Sequence, residues 1–124
     1  MAKILFVEDE PAIQKVLGDF LRGQGHEVLA ALDGEQGLAM MMRQHPDLVL
    51  LDLILPRLHG LMVLEKMKAD QSLASIPVIV LTNVESSDAV EKAIELGAKA
   101  YLVKANYRLE DVLEKIRGVL GDQT

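Results

Sequence analysis

The amino-acid sequence predicts an α/β protein built on a doubly wound, five-stranded parallel sheet with five helices on its two faces. Short runs of branched apolar residues alternate along the chain with amphipathic helical patterns. Most of these runs are apolar on both faces, as strands covered by helices on two sides must be. Successive β–α units place parallel strands in one sheet and helices on both of its faces.

Five apolar runs supply the predicted strands. They span residues 3–7, 27–31, 48–52, 77–82 and 100–104. Periodicity does not give their order, but the flavodoxin-like order 2-1-3-4-5 is the natural expectation at this length. In that order strands 1 and 3 are neighbours at the switch point, where ligands bind beyond the carboxyl ends of the strands.

The helices between these runs are predicted with unequal strength. Apolar residues recur with helical spacing in the first, fourth and fifth helices: Ile13, Val16, Leu17, Phe20 and Leu21; Val90, Ala93 and Ile94; Leu109, Val112, Leu113, Ile116 and Leu120. The second helix is diluted by Gly34 and Gly37, and the third, about residues 61–69, is short. Methionines 40–42 are expected to fill a gap between the second helix and the sheet.

Helix boundaries are marked by residues with special backbone or side-chain properties. Pro11 suits a first helical position, and Gly25 suits a position just past a helix end. Gly97 closes the fourth helix in the same way. Asp33 is positioned to cap the second helix.

Length, charge and composition exclude several classes of protein. We expect residues 1–124 to form a single domain. The net charge of −6 argues against nonspecific binding to nucleic acid or anionic membrane. The absence of cysteine excludes disulfides and thiolate chemistry. We expect no signal peptide at the N-terminus, and no apolar stretch reaches the ~20 residues of a membrane span. We therefore expect a soluble cytoplasmic protein.

Polar residues stand at the ends of four predicted strands. They are Glu8, Asp9 and Glu10 after strand 1, Asp52 after strand 3, Thr82 and Asn83 after strand 4, and Lys104 after strand 5. Considered one at a time, these residues have structural explanations. Acids before a helix interact favourably with the helix dipole, and a lysine is common in a solvated loop. Their meeting at one edge of a sheet favours a functional site instead.

These residue types together suit phosphoryl chemistry. Strands 1 and 3 would lie ~4.8 Å apart, so Asp9 and Asp52 would face each other and repel unless a cation intervened. Oxygen ligands alone favour a hard cation such as Mg²⁺. Lys104 and Thr82 add a positive charge and a hydroxyl, which can stabilise a phosphoryl group. With no serine or cysteine at these ends, Asp52 is the expected nucleophile.

The sequence resembles the receiver domain of two-component response regulators along essentially its whole length. The resemblance rests on KILFVEDE, LVLLDLILPRLHG, PVIVLT and AYLVK. It implies that Asp52 is the phosphoacceptor and that Lys104 contacts the phosphoryl oxygens. It further implies that Thr82 and Tyr101 are switch residues. The implied Mg²⁺ ligands are Glu8, Asp9, Asp52 and the backbone carbonyl of Ile54.

The resemblance also implies a function. A histidine kinase or phosphotransfer protein would phosphorylate the domain, and the helix 4–strand 5–helix 5 face would then change for a partner, an effector domain or a second copy. Such a domain is not an enzyme: it catalyses its own phosphorylation, and it can also catalyse its own dephosphorylation. The alternative is a receiver-like interaction module that works without phosphorylation.

Two other classes fit the residues less well. A haloacid-dehalogenase-type phosphatase would need a second acid two positions after Asp52, where Ile54 stands. A flavodoxin would need a phosphate loop rich in serine and threonine after strand 1, where this chain is acidic.

Three positions depart from the usual receiver pattern. Asn83 follows the switch threonine, where a small residue is usual, so access to Asp52 is expected to narrow. Leu55 replaces a common methionine. Ala105 follows Lys104, where proline is common, and a cis bond to a residue other than proline costs ~2.5–4 kcal/mol. We therefore expect a trans Lys104–Ala105 bond.

Overall fold

The parallel sheet has the predicted strands in the predicted order. The structure, a computed structural model, describes residues 2–121. The strands are β1 (Lys3–Val7), β2 (Glu27–Ala31), β3 (Leu48–Leu51), β4 (Val78–Thr82) and β5 (Ala100–Val103). All four pairings are parallel and the order is β2-β1-β3-β4-β5. The flavodoxin-like prediction is therefore confirmed.

Five α-helices alternate with these strands. They are α1 (Pro11–Gly23), α2 (Gly34–Gln44), α3 (Gly60–Ala69), α4 (Ser87–Glu95) and α5 (Leu109–Leu120). A short 3₁₀ turn, Lys104–Asn106, follows β5. None of the helices in the described part of the chain combines the length and apolar character needed to cross a membrane.

Two apolar layers cover the two faces of the sheet. Alternate residues of each central strand point to opposite faces, so Leu5 and Val7 join the layer under α2, α3 and α4. Ile4 and Phe6 join the layer under α1 and α5. Both faces of the central strands are buried, which explains why these strands read as continuous apolar runs instead of alternating ones.

In α1, α2 and α4, some apolar residues of the predicted inner faces are exposed to solvent. Val16 is 58% exposed, although Leu17 and Leu21 on the same helix are buried. Ile94 is 49% exposed, and Ala93 is the buried residue of α4. In α2 only the middle one of the three methionines is buried, because successive residues turn by about 100° around a helix.

The predicted helix boundaries are confirmed. Pro11 begins α1, and the main-chain N–H of Gln36 donates to Asp33 Oδ1 at 2.7 Å. Gly25 and Gly97 have φ values of 97° and 95°, which L side chains rarely adopt. The peptide bonds of residues 2–121 include no cis bond, so the expected trans Lys104–Ala105 bond is confirmed.

Gly60 sits where α3 meets the end of β3, and its lack of a side chain allows that contact. A Cβ atom at this position would lie 2.3 Å from the carbonyl oxygen of Asp52 and 2.5 Å from Cα of Leu53. We predict that Gly60→Ala lowers the free energy of unfolding by about 1–3 kcal/mol, the usual penalty for overpacking. Urea unfolding measures the change.

Gly118→Ala is the matched control, because a Cβ atom there meets nothing within 4 Å. It lies inside α5 and should stabilise the protein by up to ~1 kcal/mol. Equal unfolding midpoints for Gly60→Ala and the unmodified protein would contradict the close approach.

Candidate functional site

The carboxyl ends of β1, β3, β4 and β5 bring the predicted polar residues together. Val7 pairs with Leu51 and Thr82 pairs with Val103, so the residues that follow these strands start from one edge of the sheet. A cavity of about 300 Å³ opens at this edge. Its lining consists of Asp9, Glu10, Asp52, Ile54, Thr82, Asn83 and Lys104.

Three carboxylates converge at this edge. One oxygen from each of Glu8, Asp9 and Asp52 lies within 4.8 Å of the others. Glu8 is fully buried and Asp52 is 5% exposed, whereas Asp9 faces solvent. This all-oxygen donor set, with no histidine or cysteine, fits a hard divalent cation.

Lys104 supplies the positive charge that faces this cluster. Its Nζ lies 2.8 Å from Oδ2 of Asp52 and forms an ion pair with Oε1 of Glu8. Burial alone would lower the pKa of Lys104, but the two carboxylates outweigh it and hold the pKa above its ordinary value. The ammonium therefore stays charged at neutral pH.

Glu8 is held on both of its carboxylate oxygens. The main-chain N–H of Glu10 donates to Oε2 at 3.0 Å, and Lys104 binds the other oxygen. Burial raises the pKa of Glu8 above its ordinary value, although the bond from Lys104 opposes this shift. Glu8 thus lies beneath the cavity, and Asp9 and Asp52 present their oxygens to it.

Asp52 is fixed at the end of β3 by two hydrogen bonds. Lys104 donates to Oδ2, and the N–H of Ile54 donates to Oδ1 at 3.2 Å. Ile54 is 57% exposed and lines the cavity. Asn83 also lines the cavity, on the side of β4, where the sequence predicted a narrowing.

Tyr101 lies outside the residues that line the cavity but is connected to Thr82. The N–H of Val84 donates to Oγ1 of Thr82 at 3.5 Å, and the hydroxyl of Tyr101 donates to the carbonyl of Val84 at 2.7 Å. Burial and the nearby charge of Asp52 raise the pKa of Tyr101. Val84 therefore links the two predicted switch residues.

Two residues near the site were not predicted from the sequence. Arg57 adopts φ 69° in the loop after β3 and pairs with Oδ2 of Asp33 at 3.4 Å. Gln14 donates its side-chain amide to main-chain carbonyls at the ends of β1 and β2. Neither residue belongs to a chemical motif, so the sequence carried no signal for these contacts.

Comparison with known proteins identifies the family of the chain. Residues 4–117 match the response regulator receiver domain family. Protein PilH of Pseudomonas aeruginosa is 34% identical, over 98% of this chain and 99% of its own length. The chain spans about half the length of other curated relatives it matches, 49% of one and 48% of another, both named as transcriptional regulators.

Solved structures share the fold. The CheY-like response regulator receiver domain protein from Methanospirillum hungatei JF-1 has a TM-score of 0.91 and 31% identity, covering 99% of this chain and 96% of its own. The receiver domain of the sensor histidine kinase PA1611 from Pseudomonas aeruginosa PAO1 has a TM-score of 0.88 and 29% identity, covering 98% of both chains. A magnesium ion is coordinated in the active site cleft of the PA1611 domain.

Receiver domains are signalling domains and not enzymes with a separate substrate. The match covers most of the chain, and the acidic edge lies where the strands of this fold end. The chain belongs to the response regulator receiver domain family of two-component signalling.

Proposed function

We propose that this domain is a phosphorylation-dependent switch that accepts a phosphoryl group on Asp52. The observation that carries the proposal is the position of Asp52 at the end of a central strand. Its carboxylate lines an open cavity and lies 2.8 Å from the Nζ of Lys104. A carboxylate fixed in this way can act as a nucleophile without further activation by a base.

The proposed donor is the phosphohistidine of a histidine kinase or phosphotransfer protein. An Asp52 oxygen would attack phosphorus while the phosphorus–nitrogen bond breaks and the imidazole leaves with the electron pair. Lys104 would donate to the phosphoryl oxygens from the position it now holds beside Asp52. Thr82, with its hydroxyl at the same edge, would bind a further phosphoryl oxygen.

Asp9, Asp52 and the backbone carbonyl of Ile54 would hold Mg²⁺. Glu8, which the sequence also predicted as a ligand, is fully buried, and its two oxygens are bound by Lys104 and by the N–H of Glu10. The donor atoms are all oxygens, and the three carboxylates converge within 4.8 Å. The magnesium ion coordinated in the PA1611 receiver domain supports this choice. When bound, the ion would neutralise negative charge on the oxygens of the transferring phosphoryl group.

The proposed output surface is formed by α4, β5 and α5. Ile94 is 49% exposed on α4, and Val90 beside it is partly buried. Tyr101 connects β5 to the loop before α4 through Val84. A change at Thr82 would thus reach a surface that a partner protein, an effector domain or a second copy can contact.

Removal of the proposed phosphoacceptor tests the function directly. In Asp52→Asn the nucleophilic carboxylate is replaced by an amide of the same shape. We predict that incubation with Mg²⁺ and acetyl phosphate adds one phosphoryl group to the unmodified protein and none to the variant, as read by intact mass. Asp88→Asn, an exposed change in the first turn of α4, should label normally.

Full labelling of Asp52→Asn would show that another residue accepts the phosphoryl group. Absence of labelling in the unmodified protein, with beryllofluoride also without effect on its NMR spectrum, would favour the phosphorylation-independent module.

Removal of the Asp9 carboxylate should change Mg²⁺ affinity and metal-free stability in opposite directions. We predict that Asp9→Ala weakens Mg²⁺ binding, because the cation loses a direct oxygen ligand. The metal-free variant should be at least as stable as the unmodified protein, because repulsion among the carboxylates falls. Thermal melts with and without Mg²⁺ give both results.

Glu10→Ala is the control for that experiment, since it removes one exposed acid at the next position. It should retain most of the stabilisation by Mg²⁺. If Asp9→Ala gains as much stability from Mg²⁺ as the unmodified protein does, Asp9 is not a ligand.

The switch itself can be followed by NMR. We predict that beryllofluoride shifts the signals of Thr82, Val84 and Tyr101 together, because Val84 hydrogen-bonds to both of the others. In Tyr101→Phe the shift at Val84 should persist while the response at residue 101 decreases. Shifts confined to the loop after Asp52 would contradict this coupling.

A further inference from the structure

The side-chain amide of Gln14 lies at the carboxyl ends of two neighbouring strands. Its Nε2 donates to the carbonyl oxygens of Phe6, Glu8 and Ala31 at 2.8, 3.1 and 3.2 Å. Two N–H groups serve three acceptors, so at least one bond is shared. These contacts also fix the orientation of the amide, because the opposite orientation would place its oxygen against three carbonyl oxygens.

The contact with Glu8 bears on the acidic cluster. The Glu8 carbonyl belongs to the peptide group that joins Glu8 to Asp9, and a peptide group is planar. A hydrogen bond to that oxygen therefore fixes the plane from which Asp9 projects. On the other side of Glu8, its own N–H donates to Ala31 at 2.9 Å.

The orientation of Asp9 depends on the hydrogen bonds of its main chain, because no other contact orients its carboxylate. Within residues 2–121, that carboxylate forms no hydrogen bond or ion pair. Glu8 and Asp52, in contrast, are each bound by Lys104 and by a main-chain N–H. The direction of Asp9 is thus set by its backbone.

We infer that Gln14 is a positioning residue for the cation site. Its amide holds the Glu8–Asp9 peptide so that the Asp9 carboxylate projects towards Asp52, and this arrangement raises the affinity of the cluster for a divalent cation. The inference rests on the proposed function, in which this cluster binds Mg²⁺. Gln14 would contact neither the cation nor the phosphoryl group.

A purely structural role would give a different result. If Gln14 only attached α1 to the sheet, its loss would lower stability and leave the Mg²⁺ affinity of the folded protein unchanged. A positioning role predicts weaker Mg²⁺ binding even when the variant is fully folded. The two roles therefore separate on affinity and not on stability.

The test uses Gln14→Met, which keeps the length of the side chain and removes both N–H donors. Mg²⁺ is titrated into the metal-free protein, and the amide signals of Asp9 and Asp52 are followed by NMR. We expect about tenfold weaker binding, the effect of losing roughly one net hydrogen bond to the site. Leu17→Ala is the control, since it removes a buried α1 side chain of the core and should leave Mg²⁺ affinity unchanged.

Each outcome has one meaning. Equal Mg²⁺ affinity for Gln14→Met and the unmodified protein would overturn the inference. A matching loss in Leu17→Ala would also overturn it, because any damage to α1 would then suffice. If the unmodified protein binds no Mg²⁺, the proposed cation site itself is wrong.

A second measurement needs no variant and decides the matter if Gln14→Met does not fold. Hydrogen exchange of the Gln14 side-chain amide in the unmodified protein should be slower than that of Gln71, which is exposed. Addition of Mg²⁺ should slow the exchange at Gln14 further, because the cation and the amide favour the same arrangement of the loop. Exchange at Gln14 that Mg²⁺ leaves unchanged would contradict the inference, because slow exchange in the metal-free protein also fits a purely structural role.

Discussion

The ion pairs of Lys104 with Glu8 and Asp52 are the interaction on which the rest of the site depends. Two carboxylates at the ends of central strands are buried, and a buried charge without a partner is strongly destabilising. Lys104 starts from the edge strand β5 and reaches past β4 to pair with both. One lysine thereby joins the ends of three strands.

The same interaction explains how the cluster can exist with or without a cation. Three carboxylates face one ammonium, so an excess of negative charge remains for a divalent ion. Because the pKa of Lys104 is higher in the folded protein than its ordinary value of 10.5, the charged lysine stabilises the fold fully below pH 10.5. This stabilisation is lost only as the pH rises through the higher pKa of the folded state. Glu8 acts in the opposite sense at neutral pH. The pKa of Glu8 is raised in the folded protein, so protonated Glu8 favours folding below its ordinary pKa of 4.5. This contribution is lost as the pH rises through the higher pKa of the folded state.

The sequence predicted the strands, and it predicted which polar residues meet at their carboxyl ends, because both signals are strong. A continuous apolar run is typical of a strand buried in a parallel sheet, and Asp52 and Lys104 mark the points where two such runs end. The exposed positions were harder, since helical spacing gives a stripe but not its edges, and Val16 and Ile94 lie at those edges. The contacts of Gln14 could not be predicted from the sequence for another reason. Its third acceptor, Ala31, lies 17 residues away in sequence and comes near only when β2 pairs with β1.

The acidic cluster and the proposed output surface differ in how deeply the adjoining elements are buried. Glu8 and Asp52 adjoin strands that are buried on both faces, whereas α4 buries Ala93 alone. The 3.5 Å contact between Val84 and Thr82 is at the long end of hydrogen-bond geometry, so little is lost when the threonine hydroxyl turns elsewhere. The 2.7 Å bond from Tyr101 to the same residue would carry that movement towards β5. A segment with few buried contacts reorganises at low free energy, and in the proposed function this is how a small displacement at the site would be transmitted to the α4–β5–α5 surface.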